Sequence, residues 1–174
     1  MSIIPVIGAV TRRTKRFVAV FSDIDGSFTA GKVITPGGAP TEINCAALEP
    51  SGLVEIVEVF IREKADTGSP VKMDLRIEWF SNTYALPAQL ADFAIPTDGS
   101  YHGDLVIAAA SWKDRVGTDG KNWAAVRAVP SSRLVVPAAD GGRSIWFALV
   151  AGGTGAPAAN AKYEVEVVYN QDVW

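Results

Sequence analysis

The chain has 174 residues, a formal net charge of −3, one cysteine and one histidine. That length suits a single domain with a real core. With 48% hydrophobic and 20% charged residues the chain is ordinary globular material, and its slight negative charge favours neither nucleic acid nor an anionic membrane as partner. Cys45 and His102 stand alone of their kinds, which excludes intrachain disulfides, Cys/His zinc sites and His-pair metal sites and leaves little room for a triad with a His base.

The first segment, "MSIIPVIGAVTRRTKR", sets Ile3, Ile4, Val6 and Ile7 before Arg12, Arg13, Lys15 and Arg16. This order is the reverse of a secretory signal, Pro5 interrupts the apolar part, and no run of 18 apolar residues occurs, so the chain is expected to be soluble and made in a cytoplasm. Residues 1–16 fit two readings equally. One is an attachment arm, in which apolar residues and four cations lie on an acidic surface; the other is a first edge strand with a solvated basic turn. The domain proper is expected over 17–174, with strand candidates Phe17–Ser22 and Phe28–Ile34.

Farther along, Val54 to Lys64 is rich in β-branched residues and ends at "ADTGSP", whose Asp, Gly and Pro form turns. In "KMDLRIEWF" the residues Met73, Leu75, Ile77 and Trp79 share one face, and Lys72, Asp74, Arg76 and Glu78 the other, as in a strand half-buried on a sheet. The two runs are expected to pair as an antiparallel hairpin. A helical turn is expected in "ALPAQLADFA", a surface loop around His102, and strands at Leu105–Trp112, Trp123–Val129 and Arg133–Val136. "SIWFALVA" is apolar on both faces, as in a central covered strand, and "AGGTGAPAANA" reads as a hairpin loop. In "KYEVEVVYN" the residues Tyr163, Val165, Val167 and Tyr169 face inward, opposite Lys162, Glu164 and Glu166. Eight to ten short strands separated by turn signals define an all-β chain, an antiparallel sandwich or barrel.

Two motifs invite a chemical reading. "DIDGSFTAGKV" from Asp23 is similar to the opening of phosphatases of the haloacid dehalogenase type, "WFSNT" is a stand-in for their Ser/Thr motif, and Lys113 for their lysine. That chemistry sits on a doubly wound parallel sheet and needs a second carboxylate cluster for Mg²⁺, which "HGDLVIAAA" does not supply. An EF-hand loop fails too, with Phe28 at the glycine position and Ile34 at the final glutamate position. A polar turn into the next strand is the plain alternative. Cys45 reads as a small buried apolar residue.

Read end to end, the chain resembles tailed-bacteriophage virion proteins that form jelly-roll β-sandwiches, of the head decoration or cement type. Four stretches carry the resemblance over about residues 17–172: "FTAGKVIT", "GLVEIVEVFIREKADTGSPVKMDLRIEWFSNT", "SIWFALVAGGTGAP" and "YEVEVVYNQD". The resemblance implies a non-enzymatic protein without cofactor that binds and stabilises a capsid lattice. Its partner is then the major capsid protein, its form a homo-oligomer, often a trimer, and its place the virion head surface. Candidate capsid contacts are Ile3, Ile4, Arg12, Arg13, Lys15 and Arg16, and Trp174 is a candidate subunit contact. The same fold serves carbohydrate- or receptor-binding modules, for which Tyr84, Tyr101, Trp112 and Trp123 are the aromatics to examine, and a tail component is a further alternative.

Overall fold

A computed structural model describes residues 11–24, 26–35, 38–45, 52–64, 69–116, 122–139, 141–157 and 161–173. Among them lie ten strands: β1 (Thr11–Ile24), β2 (Thr41–Asn44), β3 (Leu53–Lys64), β4 (Leu75–Phe80), β5 (Tyr101–Ile107), β6 (Lys113–Val116), β7 (Asn122–Ala128), β8 (Leu134–Pro137), β9 (Ser144–Ala151) and β10 (Ala161–Val173). A six-stranded sheet runs β1-β10-β3-β7-β6, with β8 also paired to β3, and a four-stranded sheet runs β2-β9-β4-β5. Every strand pairing among the described residues is antiparallel.

The pairs are nested. β1 pairs with β10, β2 with β9, β3 with β7 and β8, and β4 with β5, and successive pairs fall in alternate sheets. The chain is therefore one long hairpin, with its tip between β4 and β5, rolled into two layers. This is a jelly roll. β7 and β8 lie end to end along β3, opposite Val59–Lys64 and Leu53–Ile56 respectively. Pro130 stands in the break between them, where no ladder donor is required.

The core lies between the sheets and is built from the inward halves of the alternating strands. Met73, Leu75, Ile77 and Trp79 are buried as the pattern requires, as are Tyr163, Val165, Val167 and Tyr169. Phe147 on β9 meets Trp79 at 5.5 Å between ring centroids and the edges of Phe17 and Phe21 at 6.4 and 6.1 Å. A second, smaller cluster of Val33, Phe80, Leu86 and Ala148 covers the outer face of the four-stranded sheet, which explains why β9 is apolar on both sides.

Several sequence expectations are corrected. β3 and β4 do not pair: they stand in opposite sheets, each beside strands from elsewhere in the chain. "AGGTGAPAANA" likewise crosses between sheets, from β9 to β10, instead of closing a hairpin. Its glycines permit close packing; a Cβ on Gly155 would stand 2.7 Å from Met73 Sδ, and one on Gly153 2.8 Å from Asp74 Oδ2. Phe28–Ile34 makes only isolated bridges, from Phe28 to Gly155, Lys32 to Asp92 and Val33 to Val150.

The segment after Tyr84 forms no helix. It is held by Leu90 N–H to Val33 O (2.9 Å) in that bridging segment and by Leu86 N–H to Gly38 O (3.0 Å) beyond it, with Leu90 at φ 68°. Leu105–Trp112 divides into the end of β5 and a 3-10 turn at Ala109–Ser111. His102 lies in β5, not in a loop, at the register shift where β5 departs from β4. β1 begins at Thr11, six residues before the strand read from the sequence, so Arg12 to Arg16 belong to an edge strand instead of a turn that precedes it.

Candidate functional site

Among the described residues β1 is the longest strand, 14 residues, and pairs with β10 alone, from Thr11 opposite Val173 to Ile24 opposite Ala161. From Phe17 onward it alternates as a half-buried strand should. Phe17, Ala19 and Phe21 turn to the core, while Val18 and Val20 stay 52% and 59% exposed on the outer face. Before Phe17 the alternation stops, because "TRRTKR" offers nothing apolar to bury, and Arg13, Thr14, Lys15 and Arg16 are exposed on both faces. Thr14 Oγ1 donates to Asn170 Oδ1 at 2.7 Å, and Arg16 Nη1 meets Glu166 Oε1 at 3.0 Å with the arginine side chain 74% exposed. A pair that open contributes at most about 1 kcal/mol. Among the described residues Arg13 and Lys15 make no ion pair.

The outer face of the six-stranded sheet is a field of matched charges. Cross-strand rows run Val18–Glu166–Phe60–Arg127 and Val20–Glu164–Arg62–Ala125. Arg62 bonds Glu164, lies 4.0 Å from Glu166 and sits over the Phe60 ring at 4.6 Å. Arg127 pairs with Glu58, and Arg133 with Glu55 at 2.9 Å. Among the described residues Arg13 and Lys15 thus place two cations without an ion pair two positions apart on β1, while Lys113 on β6 and Lys162 on β10 are single cations of the same kind.

The structure brings Arg12, Arg13, Lys15 and Arg16 onto one strand segment; of Arg12 only the backbone, opposite Asp172, belongs to the description. Ile3, Ile4 and Trp174 lie outside the described residues. The aromatics singled out for a saccharide-binding face do not form one. Trp112 is 4% exposed, donates Nε1–H to Met73 O at 3.0 Å and packs against Tyr163. Tyr101 donates its hydroxyl to Glu78 Oε2 at 2.8 Å, and Tyr84 packs against Phe80 with the rings tilted and their centroids 4.9 Å apart. Trp123 is half-buried at a shallow concavity of about 460 Å³, which Lys72 and Asp114 also line and where those two pair at 2.6 Å.

Asp23 lies in β1, an antiparallel edge strand, so the parallel sheet on which haloacid dehalogenase chemistry depends is not the setting of this motif. Cys45 is buried, its thiol pushed up to about 11 by burial and only partly drawn back by Tyr169, which disfavours the thiolate that a nucleophile requires. Burial lowers the His102 imidazole.

Two buried carboxyls escaped the sequence reading. Glu63, inside the sandwich at the end of β3, accepts Val71 N–H on Oε1 at 2.8 Å and is raised to about 7, chiefly by burial. Tyr163, opposite it on β10, is close enough to couple with it, yet neither its hydroxyl nor Glu63 Oε2 has a well-formed hydrogen-bond partner. Glu78 is fully buried beneath the outer cluster and raised by burial, and Asp104 opposite it on β5 adds to the shift. A period-two pattern assigns both to faces. It carries no information about segments that cover those faces.

No family model matches the chain, and no curated protein matches it. Solved structures similar to it include a Bacillus endospore appendage from disulfide-linked pili (13% identity, TM-score 0.35, covering 100% of this chain and 98% of that one). A nodavirus particle of the giant freshwater prawn Macrobrachium rosenbergii gives 8% identity and a TM-score of 0.39 over 95% and 94% of the two chains. The capsid of a Helicobacter pylori bacteriophage gives 11% and 0.34 over 92% of each. Likenesses at this level assign no function, and the jelly roll rests on the strand order of the chain itself.

Proposed function

We propose that the chain is a virion structural protein of a tailed bacteriophage, a decoration or cement protein that binds the major capsid protein on the head surface and stabilises the lattice. It acts through shape and surface, without catalysis or cofactor, as a symmetric homo-oligomer. The observation that carries the reading is where the resembling stretches fall. Those running from Gly52, Ser144 and Tyr163 supply β3, β4, β9 and β10, the inner strands around which both sheets are built, in the order that the rolled hairpin requires. The fourth, "FTAGKVIT", supplies the segment that covers β9.

Attachment is assigned to the first sixteen residues, where the side chains of Arg13, Lys15 and Arg16 are exposed. Cations of this kind steer a protein to an acidic lattice and weaken in salt. The test is cosedimentation with heads that lack the protein. Saturable binding, weakened when Arg12, Arg13, Lys15 and Arg16 are neutralised and less salt-sensitive afterwards, supports the reading; no binding overturns it. Magnesium-dependent turnover of an aryl phosphate that disappears in Asp23→Asn would overturn its non-catalytic part.

A further inference from the structure

The centre of β1 reads Phe17-Val18-Ala19-Val20-Phe21, the same in both directions, with Lys15 four residues before Ala19 and Asp23 four residues after it. β10 takes one edge of this strand, and among the described residues nothing pairs with the other, which presents a row of unused backbone donors and acceptors. Natural sheets blunt such edges by keeping them short, as this one does at its far side with four-residue β6. β1 is 14 residues long, has no proline, and leaves Val18 and Val20 in solvent.

We propose that a second copy of this chain occupies that edge, the two β1 strands pairing antiparallel about a two-fold axis through Ala19. This register sets Phe17 opposite Phe21, Val18 opposite Val20, Arg16 opposite Ser22 and Lys15 opposite Asp23. Directly opposed residues share a face of a sheet, and the register obeys this: Val18 and Val20 are both outward, Phe17 and Phe21 both inward. Each exposed valine gains an apolar neighbour, and at each end of the seam the register sets a lysine position against an aspartate position.

The competing arrangements lose these matches. Parallel pairing in register sets Lys15 and Arg16 against their own copies. Centring on Val18 sets Val20 opposite Arg16, and centring on Val20 sets Val18 opposite Ser22. The register shift of β1 against β10 falls between Phe21 and Ile24, outside the palindromic block. The contact is isologous, so it closes on itself and consumes the edge. Two six-stranded sheets become one continuous sheet, and the apolar run before Asp23, which no chemistry explains, acquires a role.

The inference does not rest on the virion reading, which survives its failure. Sedimentation velocity of the full chain over a micromolar concentration series should give a dimer, or a hexamer where three-fold contacts are added; a monomer or a lone trimer overturns the two-fold. Val18→Lys/Val20→Lys, at positions already in solvent, should abolish the dimer and leave the far-ultraviolet spectrum unchanged. Lys15→Asp and Asp23→Lys should each weaken the dimer about tenfold, since each creates two like-charge oppositions. Combining them should restore wild-type affinity. Failure of the combination to recover overturns the register, even if the lysine variant does not fold.

Discussion

The two sheets differ in what lies over their outer faces. On the six-stranded sheet the outward residues meet water: Glu164 and Glu166 share Arg62, Glu58 binds Arg127, and the side chain of Glu164 stays 39% exposed. On the four-stranded sheet the corresponding face is roofed by residues from distant parts of the chain, Val33 from one side and Leu86 from the other. Glu78 is therefore sealed, with Tyr101 donating to one oxygen and the Arg76 guanidinium 3.5 Å from the other. β4 and β10 carry the same alternation, so a polar side chain on a strand is a surface residue only if nothing else in the chain needs that face.

Truncating a buried aromatic marks the upper limit of this contrast. Trp79→Ala, on the inner face against Phe147, should cost about 3–5 kcal/mol in denaturant unfolding. A loss as small as that of an outward residue would mean that the register of β4 is inverted.

Glu63 separates burial from pairing through pH. Its folded-state value, about 7, lies above its unfolded value of 4.5, so the native state holds the proton more tightly. The resulting penalty is absent below the unfolded value and complete above about 7, where it amounts to about 3 kcal/mol. Glu78, raised in the same direction, adds to it. Glu63→Gln should accordingly be more stable than wild type at alkaline pH, its amide oxygen still able to accept from Val71, and the advantage should fade as pH falls towards 4.5. An advantage that does not vary with pH would place the carboxyl in water.

The two outer faces can then be compared directly. Glu78→Ala leaves the Tyr101 hydroxyl without its partner and should cost about 1–3 kcal/mol. Glu164→Ala removes an open ion pair and should cost at most about 1 kcal/mol. Equal effects would mean that the roof over the four-stranded sheet is not in place.

Much of the fold is legible because alternation is a local signal. The inner faces of β4 and β10, the two-sided burial of β9 and the all-β class follow from residues adjacent in sequence. Strand partners do not. "ADTGSP" announces that the chain reverses, but a reversal into the same sheet and one into the facing sheet use the same turn residues, so β3 and β4 read as a hairpin although they lie in opposite layers. Phe28–Ile34 has the composition of a strand and spends it covering β9, and the segment after Tyr84 takes its shape from bonds to Val33 and Gly38, not from helical propensity. For the candidate site, the cations and the palindrome around Ala19 stand in the sequence. That they occupy an edge which no second strand pairs among the described residues depends on the pairing of β1 with β10, a contact across the whole length of the chain.

The most direct test of the proposed virion role is to purify virions from a culture that produces this protein and to measure its ratio to the major capsid protein. The account predicts a fixed ratio, unchanged through successive gradients and set by lattice symmetry. Its absence from virions, or a ratio that drifts towards zero with each purification step, would contradict a structural role.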